Sequence, residues 1–464
     1  MKKVLIVAYY FPPIAASGSM RPLGFCRYLD AYGWRPRVLT TEPGSVRPPV
    51  RVDESLLKKL PDNIRVDRLS HPNPEQTLLQ IRNKIRERLH GLRLSGKNQC
   101  WPAANGCMTE QATADVRTQQ FRLKDTILER LFAFPDPQCS WLQPAVRGFS
   151  RIVHAEKPDV VFATGGPWTA LLVGKNLAKK FKVPFVADFR DPWTDNPYME
   201  GRPRSILQKA KRAERSIYES AARVIANTPE LCDKLRTDHP DLGEKFLTIT
   251  NGFDDEPSLL SIDPCENRRS GPSCSGPRDL IELCHYGTVY GNRSPVALFQ
   301  AVKELVDHKQ IRPDQLRIRF VGAWEAAEPS CENLARDLEQ RGMVRREPPV
   351  AHDRCVRLMR EAKVLLLLQP ALPLQIPGKI YEYIATGRPL LVIGGEGATD
   401  NLVEENQLGL CCPNQVADIK ILLSRLVSGQ LKLTPPRKEE RARFEYRTLA
   451  GDLASVLDAA CATR

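Results

Sequence analysis

Short apolar runs recur along the first half of the chain, at 4–8 (VLIVA), 37–40 (RVLT), 159–164 (DVVFAT), 184–189 (PFVADF), 223–227 (RVIAN) and 246–250 (FLTIT). A second series follows at 280–287 (LIELCHYG), 318–322 (IRFVG), 364–368 (VLLLL), 390–394 (LLVIG) and 409–412 (GLCC). Between the runs lie stretches with helical spacing of apolar positions, such as 170–180 and 295–307. Runs that stay apolar without alternating, each followed by an amphipathic helix, indicate parallel strands covered on both faces. The expected fold class is therefore α/β, with two doubly wound, Rossmann-like parallel sheets facing each other across a cleft.

The pattern stops at 254–278, DDEPSLLSIDPCENRRSGPSCSGPR, which is rich in Pro, Ser and Gly and lacks apolar periodicity. This places a first domain at 1–255, a linker at 256–278 and a second domain at 279–435. A helical segment at 436–464 is expected to pack back on the first domain. The polar stretch 94–117 reads as an insertion in the first domain.

The 464 residues suffice for two sizeable cores, and 42% hydrophobic with 27% charged residues is an ordinary globular mixture. Thirteen cysteines are scattered without C-x-x-C or zinc-ligand spacing, which indicates unpaired thiols in a reducing, cytoplasmic compartment. The N-terminal apolar run ends at Phe11 before two prolines and lacks a small-residue cleavage site, so it reads as a strand rather than a signal peptide. No run approaches the ~18 apolar residues of a spanning helix. A net charge of +13 favours anionic partners, although nothing in the sequence resembles a nucleic-acid recognition motif.

In doubly wound sheets ligands bind beyond the carboxyl ends of strands, and those positions carry the candidate chemistry. After 4–8, the small run 15–19, with Ser17 and Gly18, lets backbone approach a ligand before a helix that should start near Arg21. After 159–164 come Gly165, Gly166, Pro167 and Trp168. After 184–189, Arg190, Asp191 and Trp193 fall within four residues. In the second domain Gly287 and Thr288 open a loop in which Arg293 precedes a helix start at Ser294-Pro295, a candidate diphosphate cradle. After 364–368 a Pro-rich loop leads to a helix from about Lys379, with Glu382 one turn on. That carboxylate suits a vicinal diol such as ribose, and the lysine suits phosphate. The alternatives are ion pairs, Arg190 with Asp191 and Lys379 with Glu382, the second at helical i, i+3 spacing.

Together these stretches resemble glycosyltransferases of the GT-B fold, specifically family four, over nearly the whole chain. The opening loop YYFPP…SGS…R, the ITNGFD closing the first domain and, most specifically, GKIYEYIATGRPLLV carry the likeness. RDPW and HYGT are similar to a branch that builds bacterial surface polysaccharides. The resemblance implies a nucleotide-diphosphate sugar as donor and co-substrate, with no other cofactor and no metal, and transfer to a sugar or lipid-linked acceptor with retention at the anomeric carbon. It implies that Glu382 binds the ribose, that Arg293 and Lys379 face the diphosphate beside Gly287 and Thr288, and that Gly18 lies near the donor phosphates. Arg190 and Asp191 would act on the acceptor side, together with Ser17, Gly166, Trp168 and Trp193. Three positions depart from the family pattern. Leu374 stands where many members have a sugar-facing glutamate, Thr288 stands where many have an arginine, and the segment 188–191 replaces a common histidine.

A sugar-nucleotide epimerase on a similar frame, or a nucleotide-sugar-binding protein with a decayed site, are the alternatives. The segment 78–94 sets Leu78, Ile81, Ile85, Leu89 and Leu92 at helical spacing among Arg82, Lys84, Arg86, Arg88 and Arg93. That pattern suits either a core-facing helix or one lying on the anionic inner face of the cell membrane.

Overall fold

The computed structural model describes residues 1–46, 50–72, 134–153, 157–254, 280–291, 293–325, 328–369 and 372–462. The expected insertion at 94–117, the linker at 256–278 and the basic segment at 78–94 lie outside the described residues.

The first sheet contains β1 (Lys2–Ala8), β2 (Trp34–Thr41), β3 (Arg65–Leu69), β4 (Val160–Gly165), β5 (Phe185–Phe189), β6 (Arg223–Ala226) and β7 (Phe246–Thr248). All its pairings are parallel, in the order β3-β2-β1-β4-β5-β6-β7. Around it lie α1 (Ser17–Tyr28), α2 (Leu142–Ile152), α3 (Trp168–Phe181), α4 (Arg204–Ser220) and α5 (Pro229–Asp238). The strands alternate faces. Leu5 and Val7 enter one core with α3, while Val4, Ile6 and Ala8 enter a second core on the opposite face.

The second domain contains β8 (Ile281–Tyr286), β9 (Val289–Tyr290), β10 (Leu316–Val321), β11 (Trp324–Glu325), β12 (Val344–Glu347), β13 (Val364–Leu368), β14 (Leu390–Gly394) and β15 (Leu410–Pro413). Its main sheet runs β12-β10-β8-β13-β14-β15, with β9 and β11 pairing separately. Its helices are α6 (Val296–Asp307), α7 (Pro329–Gln340), α8 (His352–Glu361), α9 (Lys379–Thr386), α10 (Ala398–Glu405) and α11 (Val416–Val427). Here too the strands divide between two cores. Leu366 and Leu368 face one, Leu365 and Leu367 the other. Two doubly wound parallel sheets are thus present.

After α12 (Lys438–Ala442) the chain returns to the first domain as α13 (Tyr446–Ala462). Tyr446, Leu449, Leu453 and Leu457 complete the core on the β1 face. Backbone bonds from Phe253 N to Phe444 O and from Tyr446 N to Phe253 O, each 2.9 Å, fasten the crossing.

Each of the apolar runs read from the sequence forms a strand. The strands that reading passed over are β3 (RVDRL), β12 (VRRE) and the two-residue β9 and β11. Helix α1 begins at Ser17, a full turn before the expected start near Arg21. In both main sheets the direction of strand addition reverses, between β1 and β4 and between β8 and β13, and such reversals open the crevice where ligands bind.

Candidate active site

In the first domain the loops after β1, β4 and β5 converge on one guanidinium. Arg190, 12% exposed at its side chain, donates from Nη2 to the Gly166 carbonyl at 2.9 Å. A Cβ on Gly18 would run into Arg190 Nη1, and one on Gly166 would come within 3.3 Å of Nη2. The small residues at these strand ends therefore accommodate the arginine itself. Arg190 Nε lies 3.5 Å from Asp191 Oδ2, so the alternative ion pair is present. Behind them Asn227 donates to the Arg190 carbonyl at 2.8 Å and accepts from Asn251 N at 2.8 Å. The signal that could have found Asn227 is an amide at the last position of the apolar run 223–227.

Ser17 is exposed at the first turn of α1. Trp168 is half-buried and stacks on Trp193, with ring centroids 5.5 Å apart. Trp193 is 1% exposed, so it supports Trp168 from within the core and does not line the cleft as expected. Beneath this layer Arg21, 1% exposed, meets both oxygens of Asp188 at 2.7 and 2.9 Å and donates to the carbonyls of Ile249 and Thr250. That buried pair ties α1 to the end of β5 and to the segment leaving the first domain.

In the second domain Gly287 has φ +145°, a conformation that side chains rarely adopt, and its N–H donates to Val321 O at 3.0 Å. This turns the chain sharply off β8 and leaves Thr288 half-exposed. Arg293 lies over the Tyr290 ring, 5.1 Å from its centroid. His285, 4% exposed at the end of β8, donates from Nδ1 to Leu366 O at 3.1 Å. Burial lowers its pKa to about 4, and the charges of Arg293 and Lys379 push the same way. The imidazole is thus neutral at physiological pH, and the charges of both candidate cations, from separate loops, reach it.

Lys379 opens α9, and its Nζ lies 2.9 Å from Glu382 Oε2, the second alternative ion pair. Burial works against the ammonium charge, but the charge and hydrogen bond of Glu382 more than offset it, and Lys379 titrates above its ordinary range. The two side chains remain 31% and 40% exposed, so they are open to a ligand that competes for either partner.

The loop before α9 reaches into the first domain. Leu374 packs against that domain's core, and its carbonyl accepts from Thr228 Oγ1 at 3.0 Å. Gln375 Nε2 donates to Asp191 Oδ1 at 3.2 Å. Gln375 went unnoticed in the sequence because only the fold brings it to Asp191, across a separation of 184 positions. A cavity of about 450 Å³ also lies between the domains, near Glu230, Thr250, Ile376, Leu402 and Arg443, but no candidate residue lines it. Among the described residues no cluster of three or more His, Cys, Asp or Glu side chains could hold a metal ion. Nor is any described helix long and apolar enough to cross a membrane.

Residues 111–257 match the model of Glycosyltransferase Family 4. The two parallel sheets together form a GT-B fold. The fold is shared with HepE from Anabaena, solved in complex with UDP, at 16% identity over 99% of this chain and 100% of that one, with a TM-score of 0.57. Sucrose-phosphate synthase from Thermosynechococcus elongatus aligns over 100% of both chains at 14% identity, with a TM-score of 0.57. The lipopolysaccharide outer core galactosyltransferase WaaB aligns over 99% of both chains at 11% identity, with a TM-score of 0.53. Curated protein sequences offer no match. The family 4 segment covers β4 to β7, which present Gly166, Arg190 and Asp191. The glycosyltransferase reading therefore rests on the match of residues 111–257.

Proposed function

We propose that this glycosyltransferase moves a hexosyl group from a nucleotide-diphosphate sugar to an acceptor hydroxyl in cell-surface polysaccharide or glycolipid synthesis, with retention at the anomeric carbon. The observation that carries the proposal is that Arg293, on the loop after β8, and Lys379, at the start of α9, both bring positive charge to the end of β8, with Glu382 one turn into α9. A nucleoside diphosphate offers each of these groups a partner. Its phosphates take Arg293 and Lys379, and its ribose diol takes Glu382 once the lysine turns away. HepE has also been solved with UDP-glucose, which makes a uridine diphosphate sugar the first donor to test.

In the reaction the bond from the anomeric carbon to the β-phosphate oxygen breaks, and the acceptor oxygen bonds to that carbon. Negative charge grows on the departing diphosphate. Arg293, Lys379 and the N-terminal N–H groups of α6 and α9 stabilise it in place, and such preorganised electrostatics are commonly the largest catalytic contribution. Two fixed cations supply what a divalent ion would supply elsewhere, so turnover should persist in EDTA. Arg190 and Asp191 face the acceptor, whose hydroxyl proton leaves with the departing phosphate or through solvent. The acceptor is a sugar or a lipid-linked sugar, and the basic segment 78–94 would make the peripheral contact with anionic lipid.

A panel of nucleotide sugars, assayed for nucleoside-diphosphate release with and without EDTA, tests the reading. The expected result is release that depends on acceptor and survives the chelator. In the same assay Glu382→Ala should stay folded and bind donor more weakly by about 1.5–3 kcal/mol, the range for hydrogen bonds to a charged group. An epimerase would interconvert sugars with no net release of diphosphate, and that outcome would overturn the proposal.

A further inference from the structure

The loop between β13 and α9 belongs to the second domain yet is anchored in the first. Leu374 is seated against the first domain's core, and its carbonyl is held by Thr228, a fully buried residue whose hydroxyl also caps α5 by accepting from Leu231 N at 3.1 Å. A second tie runs from Asn401 Nδ2, in α10, to Glu230 Oε1 at 2.7 Å. Between these fastenings the Gln375 amide reaches the Asp191 carboxylate. Asp191 is then held at both oxygens, Oδ1 by Gln375 and Oδ2 by Arg190. A carboxylate offers about four lone-pair sites. Two partners on different oxygens fix its plane and leave acceptor capacity on each.

We infer that Gln375 is a positioning residue, which holds the Asp191 carboxylate in place from across the cleft and so ties the acceptor side to the loop that carries Lys379. The inference rests on the reading of Asp191 as an acceptor-side residue. Four residues after Gln375 the chain enters α9 at Lys379, so a short, doubly anchored loop links the two halves of the site. The grip is electrostatic in character. Loss of hydration raises the Asp191 pKa above the usual carboxylate range, and the neighbouring Asp188 adds to this. The Arg190 charge and the Gln375 hydrogen bond pull it down. Asp188 is itself neutralised by Arg21.

The test is a carboxyl-carbon NMR titration of the full chain labelled with 13C-aspartate, in which the Asp191 signal is assigned by its loss in Asp191→Asn. Gln375→Leu removes the donor at similar volume, and Gln375→Glu sets a second carboxylate against Asp191. The expected result is a graded rise of the Asp191 pKa. Gln375→Leu should raise it by about one unit, the size of one hydrogen bond to a charged group, and Gln375→Glu should raise it further. If Gln375→Glu fails to fold, Gln375→Leu alone decides. An unchanged Asp191 pKa in folded Gln375→Leu overturns the inference. UDP release from UDP-glucose gives the second readout, where the acid limb of the rate profile should move up by the same amount. If the wild-type protein releases no UDP from this donor, the donor assignment fails, and the titration still decides the role of Gln375.

Discussion

A single guanidinium explains why glycine stands both in the first turn of α1 and just after β4. Arg190 occupies the space above Gly18 and Gly166, so these residues, which read in sequence as openings for a ligand, open toward a protein cation. Gly18→Ala would push the end of this flexible side chain away from the Gly166 carbonyl without forcing backbone movement. The expected outcome is a thermal midpoint close to wild type with turnover reduced roughly ten- to a hundredfold, the scale of a displaced reacting group. Unchanged turnover would mean that the position of Arg190 does not matter to transfer. The residue types were legible in the sequence, because Arg190 and Asp191 directly follow a strand and Lys379 and Glu382 lie in the first turn of the helix that follows another. Their partners were not. Nothing near Gly18 announces Arg190, and the carboxylate that Gln375 meets lies in the other domain.

At the scale of elements, legibility followed burial. Strands such as β4 and β13 are buried at every residue and appear as unbroken apolar runs. The strands β3 and β12 lie at the open edges of their sheets, where one flank faces water, and they carry arginines instead. Helix α4 shows a further consequence of burial. Its Glu214, 7% exposed, accepts from Thr194 Oγ1 at 2.6 Å and so braces the segment that follows Asp191. Burial raises the Glu214 carboxyl from 4.5 to about 7. The folded protein therefore holds a proton between these values that the unfolded chain has released. The stability this contributes is fully present below pH 4.5 and is lost as pH rises through 7. The change amounts to roughly 3 kcal/mol at most. Denaturant unfolding of Glu214→Gln across this window should show a flatter pH dependence than wild type, and parallel profiles would refute the assignment.

At the scale of the molecule, the two domains are joined at the end of the chain as well as through the loop between β13 and α9. Helix α13 leaves the second domain's side and completes the first domain's core through Leu449, Leu453 and Leu457. Gly24 in α1 makes room for the Tyr446 ring at the start of α13, and a Cβ there would run into that ring. Gly24→Ala should therefore cost about 1–3 kcal/mol by overpacking, against a gain of about 0.8–1 kcal/mol in helix propensity. A thermal midpoint lowered by a few degrees is expected, and a raised midpoint would show that the α1–α13 contact yields freely.

The account of the whole site turns on whether Arg293 and Lys379 hold a diphosphate. Calorimetric binding of UDP and of uridine to the wild type and to Arg293→Ala and Lys379→Ala measures this directly. The account predicts that each substitution weakens UDP by tenfold or more, the loss of one charge-assisted contact, and leaves uridine nearly unchanged. Equal losses for the two ligands, or UDP affinity untouched by either substitution, would contradict it.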